Sequence, residues 1–235
     1  MKVLCRLILF FLIVDYSWAE HHATHLFILS GQSNMQAHRP EEAFTPLVEK
    51  AFGKEKVIVI QDALGGQPIH RWWKEWKNPN GESPGQLGDL YDRLMGKVYP
   101  AIRGKEIASV CFLWMQGERD ARMGWGELYE EALLGLHAQL AKDLRREKNE
   151  LGLVIGRLSD FDMGNQKYPD WTVVREAQEK VAASNPKFFL INTDDLNDGL
   201  NRKGKVIRND LHYSSEGYKI MGRRFAAACV KIIEK

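Results

Sequence analysis

The sequence is poor in the features that define several classes of protein. Only three cysteines occur among its 235 residues, too few for a disulfide framework. No cysteines are paired at the intervals that bind zinc. Lysine and arginine number 33 and aspartate and glutamate 31, which leaves a formal net charge of +2. A charge so close to balance favours neither nucleic acid nor an acidic surface as a partner.

Long apolar runs are scarce as well, and the clearest one lies at the start of the chain. A short basic region precedes residues 7–14, which are apolar. Ser17-Trp18-Ala19 then places small residues at the two positions that a signal peptidase recognises. This order is typical of a secretory signal peptide, and the apolar run is too short for a membrane anchor. We therefore expect residues 1–19 to be removed and residues 20–235 to be a single secreted or periplasmic domain without an anchor.

Two cysteines remain after that removal. Cys111 lies in an apolar, strand-like run, and Cys229 lies on the apolar face of the last helix-like segment. Because free cysteine behaves as a small buried apolar residue, we interpret both as free thiols in the core.

Strand-like and helix-like segments alternate along the rest of the chain. Apolar residues recur about every four positions in residues 128–144 and 218–229, as on one face of a helix. Such alternation predicts an α/β fold with a parallel sheet covered on both faces. The strand-like runs are residues 26–29, 56–60, 107–114, 151–157 and 187–192.

The first strand-like run ends abruptly in Ser30-Gly31, and Ser33 follows two residues later. Gly31 permits a sharp turn, after which Ser33 and Asn34 can begin a helix. In open α/β sheets, ligands bind at the carboxyl ends of the strands. Ser33 is therefore either a nucleophile at a ligand-binding edge or only a helix cap.

The second strand-like run is followed by paired glycines, Gly65 and Gly66, and then by three tryptophans. The glycines suit either a close approach of backbone N–H groups to a ligand or an ordinary turn. Trp72, Trp73 and Trp76 occupy what should be an exposed loop or short helix. We interpret them either as core residues or as a platform on which sugar rings stack.

Polar residues also follow the third strand-like run and precede the last helix. Gln116 and Glu118 come just after the third run, where an amide N–H is suited to stabilise an oxyanion and both are suited to cap a helix. His212 comes just before the last helix. Alone it is a common helix-flanking residue, but together with Ser33 it supplies the base that a serine nucleophile needs.

Four motifs occur along the chain in the order Gly31-Gln-Ser-Asn-Met35, Gly65-Gly66 with a nearby tryptophan, Trp114-x-Gln-Gly-Glu-x-Asp120 and Asp210-Leu-His212. Together they resemble the motifs of a family of carbohydrate esterases that includes acetylxylan esterases and sialate O-acetylesterases. These enzymes belong to the SGNH hydrolase superfamily. The resemblance extends over essentially the whole mature chain and implies a flavodoxin-like three-layer α/β/α sandwich with a five-stranded parallel sheet.

The resemblance also implies roles for individual residues. Ser33 corresponds to the nucleophile and His212 to the general base. The oxyanion hole corresponds to the N–H groups of Ser33 and Gly65, in preference to Gly66, together with the side-chain amide of Gln116.

The sequence departs from the family at the acid that orients the histidine. That acid usually lies three residues before the histidine, where this chain has Asn209. An amide cannot stabilise the imidazolium that forms during catalysis. Asp210 or Glu118 supplies the carboxylate instead, or the enzyme works as a dyad. Glu118 is slightly favoured, because its strand end is expected to face the pocket.

The resemblance implies a secreted serine esterase that removes O-acetyl groups from acetylated xylan, a sialic acid or a similar glycan. It implies an acyl-enzyme intermediate and neither metal nor cofactor. One alternative is a broader SGNH lipase or thioesterase, although the mature chain has no long apolar stretch for an acyl chain. Another is an inactive carbohydrate-binding relative, although Ser33, His212 and Gln116 are all present.

Overall fold

A computed structural model describes residues 23–78, 81 and 84–234. The expected signal peptide, residues 1–19, lies outside the described residues. Five strands form one parallel sheet in the order β2-β1-β3-β4-β5. This is the flavodoxin-like order, and it confirms the predicted fold class. The strands are β1 (Thr24–Gly31), β2 (Val57–Ala63), β3 (Ile107–Met115), β4 (Leu151–Gly156) and β5 (Phe188–Ile191).

Helices cover both faces of this sheet. β2 lies on one side of β1, and β3, β4 and β5 follow on the other side. Because crossovers between parallel strands are right-handed, the helix that precedes β2 covers one face of the sheet, and the helices that connect β2 to β5 cover the other. The last helix packs against the helix that precedes β2. A short antiparallel pair, β6 (Gly199–Leu200) and β7 (Val206–Ile207), precedes the last helix. The helices are α1 (Ser33–Ala37), α2 (Phe44–Phe52), α3 (Asp89–Ile102), α4 (Glu118–Met123), α5 (Tyr129–Asp143), α6 (Trp171–Ala183) and α7 (Ser215–Ile233).

The hydrophobic core lies on both faces of the sheet. Every residue of β1 from Leu26 onwards is buried, as expected of a parallel strand with helices on both faces. Cys111 of β3 and Cys229 of α7 are free and buried, as predicted, with their Sγ atoms 2.9 Å apart. No helix within the described ranges is long and apolar enough to cross a membrane.

Candidate active site

The carboxyl ends of the first three strands lie level at one edge of the sheet. Gly31 is paired with Ala63 of β2 on one side and with Met115 of β3 on the other. Its φ angle is +142°, and a Cβ atom on Gly31 would lie 2.0 Å from the Met115 carbonyl oxygen. Only glycine fits here, and the sharp turn that it permits allows α1 to begin at Ser33.

The structure brings Ser33 and His212 together across 179 positions of the chain. Nε2 of His212 lies 3.0 Å from Oγ of Ser33. His212 is held just before α7, where the Ser214 hydroxyl accepts a hydrogen bond from the Gly217 N–H at 3.0 Å and caps the helix. A hydroxyl and an imidazole at this distance have the geometry of a serine nucleophile and its base.

Asp210 is the carboxylate beside the ring of His212. Its Oδ1 accepts a hydrogen bond from the backbone N–H of His212 at 2.9 Å and lies 3.9 Å from Nδ1. Both side chains are about half exposed. The distance to Nδ1 is longer than a hydrogen bond, so in this arrangement the Asp210 carboxylate is bonded to the backbone of His212 and not to its ring.

Glu118 is fully buried at the start of α4. Its Oε1 accepts a hydrogen bond from the amide of Asn34 at 3.0 Å, and its Oε2 has no partner among the described residues. Burial raises the pKa of this carboxyl to about 7. In the structure the Glu118 carboxylate is bonded to Asn34, and no hydrogen bond joins it to His212 among the described residues, so the slight preference for Glu118 as the acid that orients His212 stays a prediction without a supporting contact.

Asn34 connects the nucleophile to the histidine, a role that the sequence analysis missed. Besides Glu118, its amide donates to the carbonyl of Leu211 at 3.1 Å, one residue before His212. Its Oδ1 accepts a hydrogen bond from the Tyr218 hydroxyl at 3.0 Å. Its position directly after Ser33 was the only indication in the sequence.

Asn209 occupies the position that the resemblance assigns to the acid, but its side chain is engaged elsewhere. It has a left-handed φ angle of +42°, which asparagine tolerates better than most residues. Its Oδ1 accepts from Asn197 at 3.1 Å, and its Nδ2 donates to the carbonyl of Phe161 at 3.3 Å. Asn209 therefore joins two loops near the site.

Gly65 and Gln116, which are expected to complete the oxyanion hole with Ser33, both donate hydrogen bonds to protein groups in the structure. Gly65 packs beside Ser33, since a Cβ atom on it would lie 3.4 Å from the Ser33 Cβ. Its N–H donates at 2.8 Å to Oε1 of Gln36, one turn after Ser33. Gln116 is buried, and its Nε2 donates to Asp120 at 2.5 Å and to the Gln67 carbonyl at 3.1 Å. As it stands, the Gln116 amide is thus occupied by the protein itself.

The three tryptophans do not form an exposed platform, and the expectation that they lie in an exposed segment is wrong. Trp72 is 0 % exposed, Trp73 9 % and Trp76 3 %. The ring of Trp73 fills the space above Gly135 of α5, where a Cβ atom would lie 2.3 Å from the indole. Trp72 meets Trp114 of β3 edge to face, with ring centroids 5.3 Å apart. These residues therefore extend the core beneath the site.

Comparison with known proteins agrees with this geometry. The family model described as carbohydrate esterase, sialic acid-specific acetylesterase, matches residues 37–231. The chain belongs to that family. It is therefore a carboxylic-ester hydrolase of the SGNH carbohydrate esterase type. The matched range begins four residues after Ser33 and includes Gln116, Glu118 and His212.

Solved structures with the same fold accompany the family match. The esterase superposes on a protein from Arabidopsis thaliana with a TM-score of 0.63 and 19 % identity, covering 89 % of this chain and 98 % of that one. A carbohydrate acetylesterase from Xanthomonas citri gives 0.60 and 17 %, covering 89 % of this chain and 56 % of that one. NanS gives 0.61 and 11 %, covering 91 % and 98 %. No curated protein sequence matches the esterase significantly.

The esterase has no arrangement that suits a metal ion within the described part of the chain. Carboxylates that lie close together in sequence near the site are engaged by arginines. Asp194 is paired with Arg157 at 2.7 Å and with Arg175 at 2.8 Å, and Asp195 with Arg224 at 2.6 Å. These pairs connect the loop after β5 to the segment after β4, to α6 and to α7.

Proposed function

We propose that the esterase removes acetyl groups from hydroxyls of a carbohydrate through an acetyl-enzyme formed on Ser33. The 3.0 Å contact between Ser33 Oγ and His212 Nε2 is the observation that carries this proposal. The family contributes the substrate class, since its members are carbohydrate acetylesterases.

The reaction takes place in two halves. His212 accepts the Ser33 proton as Oγ attacks the acetyl carbon, and the imidazolium then protonates the departing sugar oxygen. Water attacks the acetyl-enzyme with His212 again as base, which releases acetate and restores Ser33. Each half forms a tetrahedral oxyanion that needs hydrogen-bond donors.

We assign the backbone N–H groups of Ser33 and Gly65 to the oxyanion hole. Gly65 lies against Ser33, and its N–H is paired with the end of a flexible side chain, that of Gln36, which substrate can displace. Gln116 contributes to the hole once its amide exchanges a protein acceptor for the oxyanion. In the structure it instead positions the Gln67 carbonyl of the same loop.

We assign Asp210 as the residue that stabilises the imidazolium. Its Oδ1 lies 3.9 Å from Nδ1 of His212 and is already fixed by the backbone N–H of that residue. A rotation of the carboxylate or a small movement of the ring would form the hydrogen bond. Glu118, which is bonded to Asn34, holds the nucleophile and histidine segments in register.

Substitution of the nucleophile tests the proposal. Ser33→Ala is expected to lower kcat for p-nitrophenyl acetate and for an acetylated sugar by about 10³–10⁶-fold. The melting temperature should stay close to that of the wild type, because the hydroxyl is replaced by hydrogen at a partly exposed position. Retention of a tenth of wild-type kcat would show that Ser33 is not the nucleophile. A wild-type protein without activity on any acetyl ester would indicate an inactive binding relative.

We also propose that the esterase is exported. The support comes from the basic, apolar and small-residue order of residues 1–19, which matches a cleavable signal peptide. An exported enzyme has direct access to extracellular or periplasmic glycans, which suits the proposed substrate class.

A further inference from the structure

The fold brings Cys111 and Cys229 together, although 118 positions separate them along the chain. Cys111 lies in the middle of β3, and Cys229 lies in the second half of α7. Both side chains are 0 % exposed, and their Sγ atoms lie 2.9 Å apart. The structure describes the pair as two thiols, and the proposed mechanism uses neither of them.

Gly152 of β4 lets α7 approach the sheet closely at this point. It is the partner of Cys111 across the two strands. A Cβ atom on Gly152 would lie 2.7 Å from Cγ2 of Ile232 and 3.5 Å from Sγ of Cys111. Ile232 is three positions after Cys229, so the two residues lie on the same face of α7. The missing side chain thus leaves room for both the helix and the sulfur, and the helix places Cys229 against Cys111.

The cysteine count of the mature chain suits a single pair. Of the three cysteines in the sequence, Cys5 lies within residues 1–19 and is lost with them. Cys111 and Cys229 then remain, and each has the other as its only partner within the chain. A disulfide joins two sulfur atoms at about 2.0 Å, so a small rotation of either side chain would bring these two into bonding distance.

The compartment in which the chain folds decides whether such a pair is oxidised. Disulfides form and persist outside the cytoplasm, where the redox conditions are oxidising. We propose that Cys111 and Cys229 form a disulfide in the exported esterase, which joins α7 covalently to the central strand of the sheet. This inference rests on the proposed export.

The oxidant is the disulfide of a thiol oxidoreductase or of a small thiol such as glutathione. The thiolate of one cysteine attacks that disulfide, which forms a mixed disulfide and releases one thiol. The thiolate of the other cysteine then attacks the sulfur of the first, which forms the bond within the protein and releases the second thiol. The two cysteines lose two electrons and two protons, and the oxidant is reduced to two thiols.

The burial of the pair decides when this step takes place. Burial raises the pKa of the Cys229 thiol, so little thiolate is present in the folded protein. Exchange requires both a thiolate and access for the oxidant. The pair is therefore oxidised while the chain folds, before α7 covers β3, and is inert afterwards.

The intact mass of the exported protein is the direct test. The full chain is expressed with residues 1–19, recovered after export, and denatured with iodoacetamide in the absence of a reductant. We expect no alkyl group to be added and a mass about 2 Da below that of the reduced protein, for the two hydrogen atoms lost. Reduction before alkylation should instead add two alkyl groups.

Thermal denaturation measures what the bond contributes to stability. A cross-link that closes a loop of 118 positions restricts the unfolded chain. The disulfide form should therefore melt about 5–15 °C above the same protein after reduction and refolding. The two forms should agree within about twofold in kcat for p-nitrophenyl acetate, because the catalytic edge lies at the carboxyl end of β3, away from Cys111.

Cys229→Ala is the matched control, since its melting temperature should not depend on reduction. Two alkyl groups added to the exported wild type without reduction would overturn the proposal. Retention of both thiols after refolding with a mixture of reduced and oxidised glutathione would overturn it too, and this second measurement tests the pair even in a chain that is not exported. Hydrolysis of p-nitrophenyl acetate that survives Ser33→Ala would instead overturn the proposed function and leave the mass result unaffected.

Discussion

At the scale of single residues, the proposed mechanism gives Asp210 and Glu118 different tasks. Asp210→Asn is expected to lower kcat for p-nitrophenyl acetate by about 10–100-fold, between the effect of an exposed ion pair and that of a buried triad aspartate. Glu118→Gln should keep kcat within about threefold, because the Gln side chain can still accept the hydrogen bond from Asn34. A larger loss in Glu118→Gln than in Asp210→Asn would return the orienting role to Glu118.

Glu118 also gives stability a pH dependence whose sign follows from its burial. Desolvation raises its pKa from 4.5 to about 7. Between these values the native state keeps a proton that the unfolded chain has released, so the free energy of unfolding falls as the pH rises. The loss from this group is complete above pH 7 and amounts to about 3 kcal/mol.

Glu118→Gln removes this titration, so the two proteins should diverge with pH. Relative to the wild type, the variant is expected to gain about 3 kcal/mol in the free energy of unfolding between pH 4.5 and pH 8. Urea denaturation of both proteins at several pH values measures the difference. The contributions of most other titrating groups to stability are the same in both proteins and cancel. Parallel curves would mean that the Glu118 carboxyl has an ordinary pKa in the folded protein.

At the scale of elements, the site depends on the close approach of the parallel strands β1 and β3 at Gly31. An alanine there must adopt a φ angle near +142° and place its Cβ 2.0 Å from a backbone oxygen. Gly31→Ala should lower the free energy of unfolding by about 3 kcal/mol or more, since both strain and overlap oppose it. Loss of solubility on expression is the extreme form of the same result.

Gly104→Ala separates strain from overlap. Gly104 has a φ angle of +71°, but no atom lies within 4 Å of the Cβ position. This variant should therefore lose only about 1–2 kcal/mol, the cost of a left-handed alanine. Thermal or urea denaturation compares the two, and equal losses would show that the Met115 carbonyl yields to the added methyl group.

The sequence predicted the five strands of the sheet well. The apolar runs marked all five strands of the sheet, because buried parallel strands need apolar residues on both faces. The prediction that the tryptophan segment is exposed was wrong because Trp72, Trp73 and Trp76 are mixed with charged residues. No sequence period separates the buried positions from the exposed ones there. Their burial depends on Gly135 and Trp114, which lie on other elements.

At the scale of the whole molecule, the site combines three strand ends with the segment before α7. Motif order predicted that Ser33 and His212 belong together, and their side chains are in contact. The partner of Glu118 was not predictable from the sequence, because Asn34 is 84 positions away. Their pairing depends on the positions that the first turns of α1 and α4 take at the edge of the sheet.

Also at the scale of the whole molecule, removal of residues 1–19 tests the proposed export. The described fold begins at β1, with Thr24 as its first residue, so a chain starting at Glu20 contains every described element. Expressed without residues 1–19, the esterase should have the same melting temperature as the naturally processed protein and the same kcat on p-nitrophenyl acetate. The processed protein, recovered from the periplasm or medium, should begin at Glu20 by intact mass. A 20–235 chain that aggregates would give residues 1–19 a structural role, and an unprocessed chain retained in the cytoplasm would contradict export.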